Sequence, residues 1–138
     1  MPEDARHAQP PGHTSPILTA SAAGIAVLTL VIYLVTLYPS VPGGDSAEFI
    51  VATDTLGVPH PSGYPLFVLL AKPFTWLPVG TIAWRINAFS ALCDALGVFL
   101  LALTVGRWTG SAWAGVAAGG LFGLSPTVWT HATGAEVF

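Results

Sequence analysis

Ile17 to Leu37 runs for 21 residues without a charge. About 20 apolar residues at 1.5 Å each match a bilayer hydrocarbon core of roughly 30 Å, so this stretch is a candidate transmembrane helix. Tyr33 and Tyr38 near its far end suit the aromatic belt of a membrane interface. A cleaved signal peptide would have an apolar region of about 7–15 residues ahead of a small-residue cleavage site. Here the run is longer and continues into Tyr38-Pro39, so it reads as a retained first span.

The rest of the chain agrees with that reading. It is 53% hydrophobic and 8% charged, far from the roughly 25% charged residues of a soluble domain. An all-α integral membrane protein is expected. A formal net charge of −3 gives no reason to expect a nucleic-acid partner, and Cys93, the single cysteine, excludes a disulfide framework within the chain. Residues 1–15 are polar and Pro-rich and read as a disordered cytoplasmic tail ahead of one domain over 16–138. Ile86 to Val105 is a second span, interrupted only by Asp94. Ala112 to Trp129 is a third, with Gly115, Gly119 and Gly123 on one face, a spacing that lets helices approach closely.

Tyr64 to Val79 is apolar but holds Pro65, Lys72, Pro73 and Pro78. In a continuous helix Pro73 would clash with the Leu69 carbonyl, and a lipid-exposed break would leave backbone groups unsatisfied. A broken juxtamembrane or re-entrant segment within an outer loop over 38–85 is therefore preferred. Three spans with the N-terminus inside put Arg6 and Arg107 inside and Lys72 and Arg85 outside. Four spans would put Arg6, Lys72 and Arg85 inside, which the positive-inside rule favours. The steric objection at Pro73 decides for three. Both arrangements place the first loop on the outer face.

That loop carries Asp45, Glu48 and Asp54, three of the seven acidic residues, among prolines and glycines and without Lys or Arg up to Pro65. Carboxylates and a histidine held at a membrane surface suggest chemistry on a lipid-borne substrate. Asp45-x-x-Glu48 also reads as a capping box opening a helix from Ser46 to about Leu56. The cap and a catalytic role are compatible.

The strings Pro-Ser-Val-Pro-Gly-Gly-Asp-Ser-Ala-Glu (39–48) and Gly-Val-Pro-His-Pro-Ser-Gly-Tyr-Pro-Leu-Phe (57–67), with Ala83 to Asn87 and Ala135 to Phe138 later, resemble the transmembrane O-mannosyltransferase family from about Tyr38 onward. The resemblance implies a glycosyltransferase-C architecture and transfer of a hexose, mannose in this family, from a polyprenyl-phosphate sugar to a protein or envelope acceptor at the outer face. It also implies a catalytic first-loop carboxylate and juxtamembrane helices before the second span. Family members are much longer than 138 residues, so the chain reads as an N-terminal piece, inactive alone, with a bacterial inner membrane as its expected location.

Asp45 is then the expected general base, taking the acceptor proton, with a pKa raised by partial desolvation; Glu48 is the second catalytic candidate. His60, locked between Pro59 and Pro61, suits a phosphate oxygen or hydroxyl. Tyr64 in the same string, Lys72, Arg85 with its bidentate fork, and Glu136 complete the expected substrate- and phosphate-binding set. The lipid donor is a co-substrate; no cofactor and no metal ligand is expected, since cations can stabilise a phosphate leaving group. Asp94, deep in the second span, is a functional hypothesis without a family role. A transporter or scaffold subunit built around it is the alternative.

Overall fold

The computed structural model describes residues 15–136, and the regular elements among them are helices. The expected tail over 1–15 lies outside the described residues except for Ser15, whose hydroxyl accepts from the Leu18 amide and caps α1 (Pro16–Thr36). Pro16 suits the first helical position, where no amide donor is needed. α2 (Ser46–Thr55) follows the first loop, and α3 (Pro65–Ala71) runs into a 3-10 turn over Lys72–Trp76. The expected break between Tyr64 and Val79 is present: the α-helix stops at Ala71, two residues before Pro73, which cannot donate to Leu69.

α4 (Ile82–Thr109) is the second expected span, starting four residues before Ile86 because Thr81 caps it through the Trp84 amide. Gly110 ends it in the left-handed region at φ +69°, a conformation that costs glycine little. Among the described residues α1 and α4 are long and apolar enough to cross a membrane. Only 28% and 39% of their most apolar stretches are buried. Val27, Val31 and Val35 on α1, and Leu92, Leu96 and Leu100 on α4, face outward. A helix apolar on its exposed face as well as its packed one has the pattern of a membrane span.

The third expected span is not one helix. α5 (Ala112–Gly123) ends after 12 residues, and α6 (Pro126–Ala132) begins beyond Leu124-Ser125. Pro126 forces this correction: it pushes Ser125 to an extended conformation, φ −63° and ψ 141°. Tyr33 donates its buried hydroxyl to the Gly123 carbonyl at 2.6 Å, satisfying a helix end inside the bundle.

Contacts along the helices set their directions. Leu18 meets Gly106, while Tyr33 and Leu37 cluster with Ala88 and Ala91, so α1 and α4 are antiparallel. Gly115 abuts the Ala102 carbonyl and Gly123 abuts Val98, so α5 is antiparallel to α4. A Cβ on Gly123 would lie 2.6 Å from Val98 Cγ2 and 2.9 Å from Thr29 Cγ2. The glycine face expected from the four-residue spacing is thus the α4–α5 seam. This up–down–up arrangement brings the first loop, α2, α3, the start of α4 and α6 to one end of the bundle. Phe49, Ile50, Ala71, Ile86, Phe89 and Ala135 form the core there. Phe67 and Phe74 meet Phe89 edge-on at 5.4 and 5.2 Å between ring centres.

Candidate active site

The first loop is tied to α4 before it reaches Asp45. Fully buried Asn87 donates through Nδ2 to the carbonyls of Tyr38 at 3.0 Å and Ser40 at 3.2 Å. Thr81 donates to the Pro39 carbonyl at 3.0 Å. Neither residue stood out from the sequence as functional. The signal for Asn87 was a primary amide inside an apolar run, which is costly unless hydrogen-bonded.

Asp45 does not form the expected capping box. Its backbone is helical, φ −81° and ψ −3°, and its side chain makes no capping hydrogen bond. An N-cap needs a non-helical backbone to aim its oxygen at the following amides. Instead the amides of Glu48 and Phe49 bond to the Asp45 carbonyl at 3.0 and 3.2 Å. The Asp45 side chain is 69% exposed, so the desolvation expected around it is not supplied by the described residues.

Glu48 turns toward the second half of the loop. Its Oε1 accepts from the His60 amide at 2.6 Å, and its Oε2 lies 2.8 Å from His60 Nδ1. Two bonds from one carboxylate fix both the backbone and the ring of His60. The carboxylate is the acceptor, so Nδ1 carries the proton and Nε2 points toward Asp45, 3.8 Å from Oδ2. The side-chain hydrogen bond holds Glu48 below the ordinary carboxylate pKa and His60 above the ordinary imidazole pKa, with desolvation opposing both. His60 is therefore biased toward its charged form. Phe49 and Tyr64 pack edge-on against its ring at 5.8 and 5.6 Å. Tyr64 is in the left-handed region at φ +38°, uncommon for a bulky residue.

Glu136 reaches the same end from the other side of the chain. Its Oε2 is 2.9 Å from His131 Nδ1, and its Oε1 abuts Gly44, the residue before Asp45. The structure thus gathers Asp45, Glu48, His60, Tyr64 and Glu136. Lys72 and Arg85 have other partners. Lys72 donates to the Asp54 carbonyl and lies 3.9 Å from its Oδ1. Arg85 donates to the carbonyls of Val79, Thr75 and Gly80 at 2.6, 2.7 and 3.1 Å, closing the turn before α4. Asp94, half-buried on α4, lies within electrostatic reach of Tyr33 and His131. Beside Tyr64 an apolar groove of about 380 Å³ runs between α3 and α4, lined by Leu66, Phe67, Leu70, Phe89 and Cys93.

Known proteins match this amino-acid sequence. Residues 45–138 match the family model for the protein O-mannosyl-transferase TMEM260 N-terminal domain. A Mus musculus protein named protein O-mannosyl-transferase TMEM260 is 45% identical over 108 residues, covering 78% of this chain and 15% of that protein. A Dictyostelium discoideum protein of the same name is 36% identical over 143 aligned positions, covering 99% of this chain and 18% of its own length. The chain thus spans less than a fifth of either curated relative. No solved structure is significantly similar. From the Asp45 loop to its last residue, the chain belongs to the protein O-mannosyl-transferase TMEM260 family, matching that family's N-terminal domain.

Proposed function

We propose that this chain is the N-terminal part of a membrane O-mannosyltransferase that moves mannose from a polyprenyl-phosphate carrier to a protein hydroxyl at the outer face. The supporting observation is the meeting of Asp45, Glu48 and His60 at the end of a helix long enough to span a bilayer. In this reading the bundle and its broken juxtamembrane segment form the start of a glycosyltransferase-C architecture. The groove beside Tyr64 is apolar, as contact with a lipid carrier requires.

The carboxylates divide the work. Glu48 has both oxygens on His60 and acts as its positioning residue. Asp45, the open carboxylate, is the base. It removes the acceptor hydroxyl proton as that oxygen attacks the anomeric carbon; the bond from that carbon to the phosphate oxygen breaks, and the electron pair leaves with the lipid phosphate. His60, held toward its cationic form, faces the charge developing on that phosphate, with Tyr64 flanking it. Lys72 and Arg85 hold the juxtamembrane turn and add positive charge at the same end.

Asp45→Asn in the full-length protein tests this. Membrane insertion should be near normal while mannosyl transfer from a lipid-linked donor falls by on the order of 10²–10⁴-fold. Wild-type turnover in that variant would remove Asp45 from the mechanism. Since the Asp45 side chain caps nothing, Asp45→Ala should be equally inactive without the loss of about 1 kcal/mol that a side-chain cap would show.

A further inference from the structure

His131 is an ionisable group that the mechanism above leaves without a task. It sits in the last turn of α6, where Ser125-Pro126 have redirected the chain after α5. Its Nδ1 is 2.9 Å from Glu136 Oε2. Asp94 on α4 lies within electrostatic reach of the imidazole. The other Glu136 oxygen, Oε1, stands 2.9 Å from where a Cβ on Gly44 would be. Gly44 has φ +71°, a conformation that favours glycine, and its missing side chain leaves room for that oxygen.

The turn carrying Glu136 seats the loop at further points. The Tyr38 amide donates to the Thr133 carbonyl at 3.3 Å. Gly134 packs on Pro42, with Ser46 Oγ close by. Contacts thus fall on both flanks of Asp45, at Gly44 and at Ser46. One Glu136 oxygen is held by His131 and the other lies against Gly44, beside Asp45. A carboxylate in that state is poorly suited to bind a phosphate, which it would repel.

We infer that His131 is a positioning residue for Asp45: it orients Glu136, whose carboxylate buttresses the Gly44–Asp45 backbone and so aims the base at the acceptor hydroxyl. The inference rests on Asp45 being the base. It assigns Glu136 to support, where the family resemblance had implied contact with substrate.

The test is a set of variants in the full-length membrane protein, assayed with a lipid-linked mannose donor. His131→Phe should lower kcat by on the order of 10-fold to 10²-fold, the scale of a misplaced catalytic group, with the donor KM little changed. His131→Asn places an amide donor where Nδ1–H stood and should recover most of the rate. Glu136→Ala should match the Phe variant, and it tests the same link should the Phe variant not accumulate in membranes. The double variant H131F/E136A should be no slower than the slower single one, because the two residues act as one chain. Unchanged kcat in either single variant, additive losses in the double, or an Asn variant as slow as the Phe one overturns the inference. Asp45→Asn, run alongside, separates the two levels. Full activity there fails the proposed function and the inference with it, whereas an inactive Asp45→Asn beside a fully active His131→Phe fails the inference alone.

Discussion

The α4–α5 seam and the loop-bearing end of the bundle are held together by opposite means. At the seam, Gly115, Gly119 and Gly123 bring backbone against Ala102 and Val98, and shape alone decides the fit. At the loop end, bonds cross long stretches of sequence: Asn87 to Tyr38 and Ser40, Thr81 to Pro39, Glu48 to His60. A seam of small residues gains from close packing in lipid, where burial of apolar surface offers no drive. A loop of prolines and glycines has no ladder of its own, and its carbonyls need partners from elsewhere in the fold. One region fails when something is added, the other when something is taken away.

The sharpest way to break the seam is Gly115→Val. A Cβ there would collide with the Ala102 carbonyl, which as backbone cannot swing aside. Overpacking of this kind costs roughly 1–3 kcal/mol. Thermal unfolding in detergent should show that loss, and an unchanged midpoint would refute the seam as a steric fit.

Asn87→Leu probes the other region with a slightly smaller loss. It strips the donor from the carbonyls of Tyr38 and Ser40, exposed residues whose oxygens water can reach, so the loss should be about 0.5–1.5 kcal/mol, the net worth of a hydrogen bond. Hydrogen exchange should accelerate at amides around 38–48 while those of α5 keep their protection. Equal acceleration in both would mean that the two regions are one cooperative unit.

The smallest effect is a titration. His60 is raised above its ordinary 6.5, so its contribution is fully present below 6.5 and is lost as pH rises through the raised value. Glu48 is lowered from 4.5, so its contribution is present above 4.5 and is lost as pH falls through the lowered value. The pair is fully engaged between those two ordinary values. Glu48→Gln should bring the imidazole titration, followed by NMR, back toward 6.5. A titration that does not move would assign the His60 shift to something other than Glu48.

What could be read from the amino-acid order follows the same division. Apolar length located α1 and α4, and the four-residue glycine spacing located the α5 face that packs on α4. Pro73 announced the broken segment. Pro126 carried the same warning for the third span, but the run of apolar residues around it obscured the break. Asp45, Glu48 and His60 stood out in the sequence as candidates, yet their pairing did not. Local spacing suggested that Glu48 would bond back to Asp45, and the tertiary fold instead gave it His60, twelve residues on. Arg85 illustrates the limit most clearly. Its charge suggested an anion, and only three-dimensional closure of the 75–80 turn reveals carbonyls in reach of each guanidinium nitrogen.

The bond from Tyr33 to Gly123 has a mechanical consequence. The Asp45 loop hangs from the end of α1, and the Glu136 turn hangs from the end of α5 through α6. Tyr33, one turn before the end of α1, pins those two suspension points together through a 2.6 Å bond to the last residue of α5. Tilting of α1 against α4 then carries both attachments in the same direction. Displacements of the helices reach Asp45 and Glu136 as common-mode motion, and the separation between them is shielded from the outward apolar faces of α1 and α4.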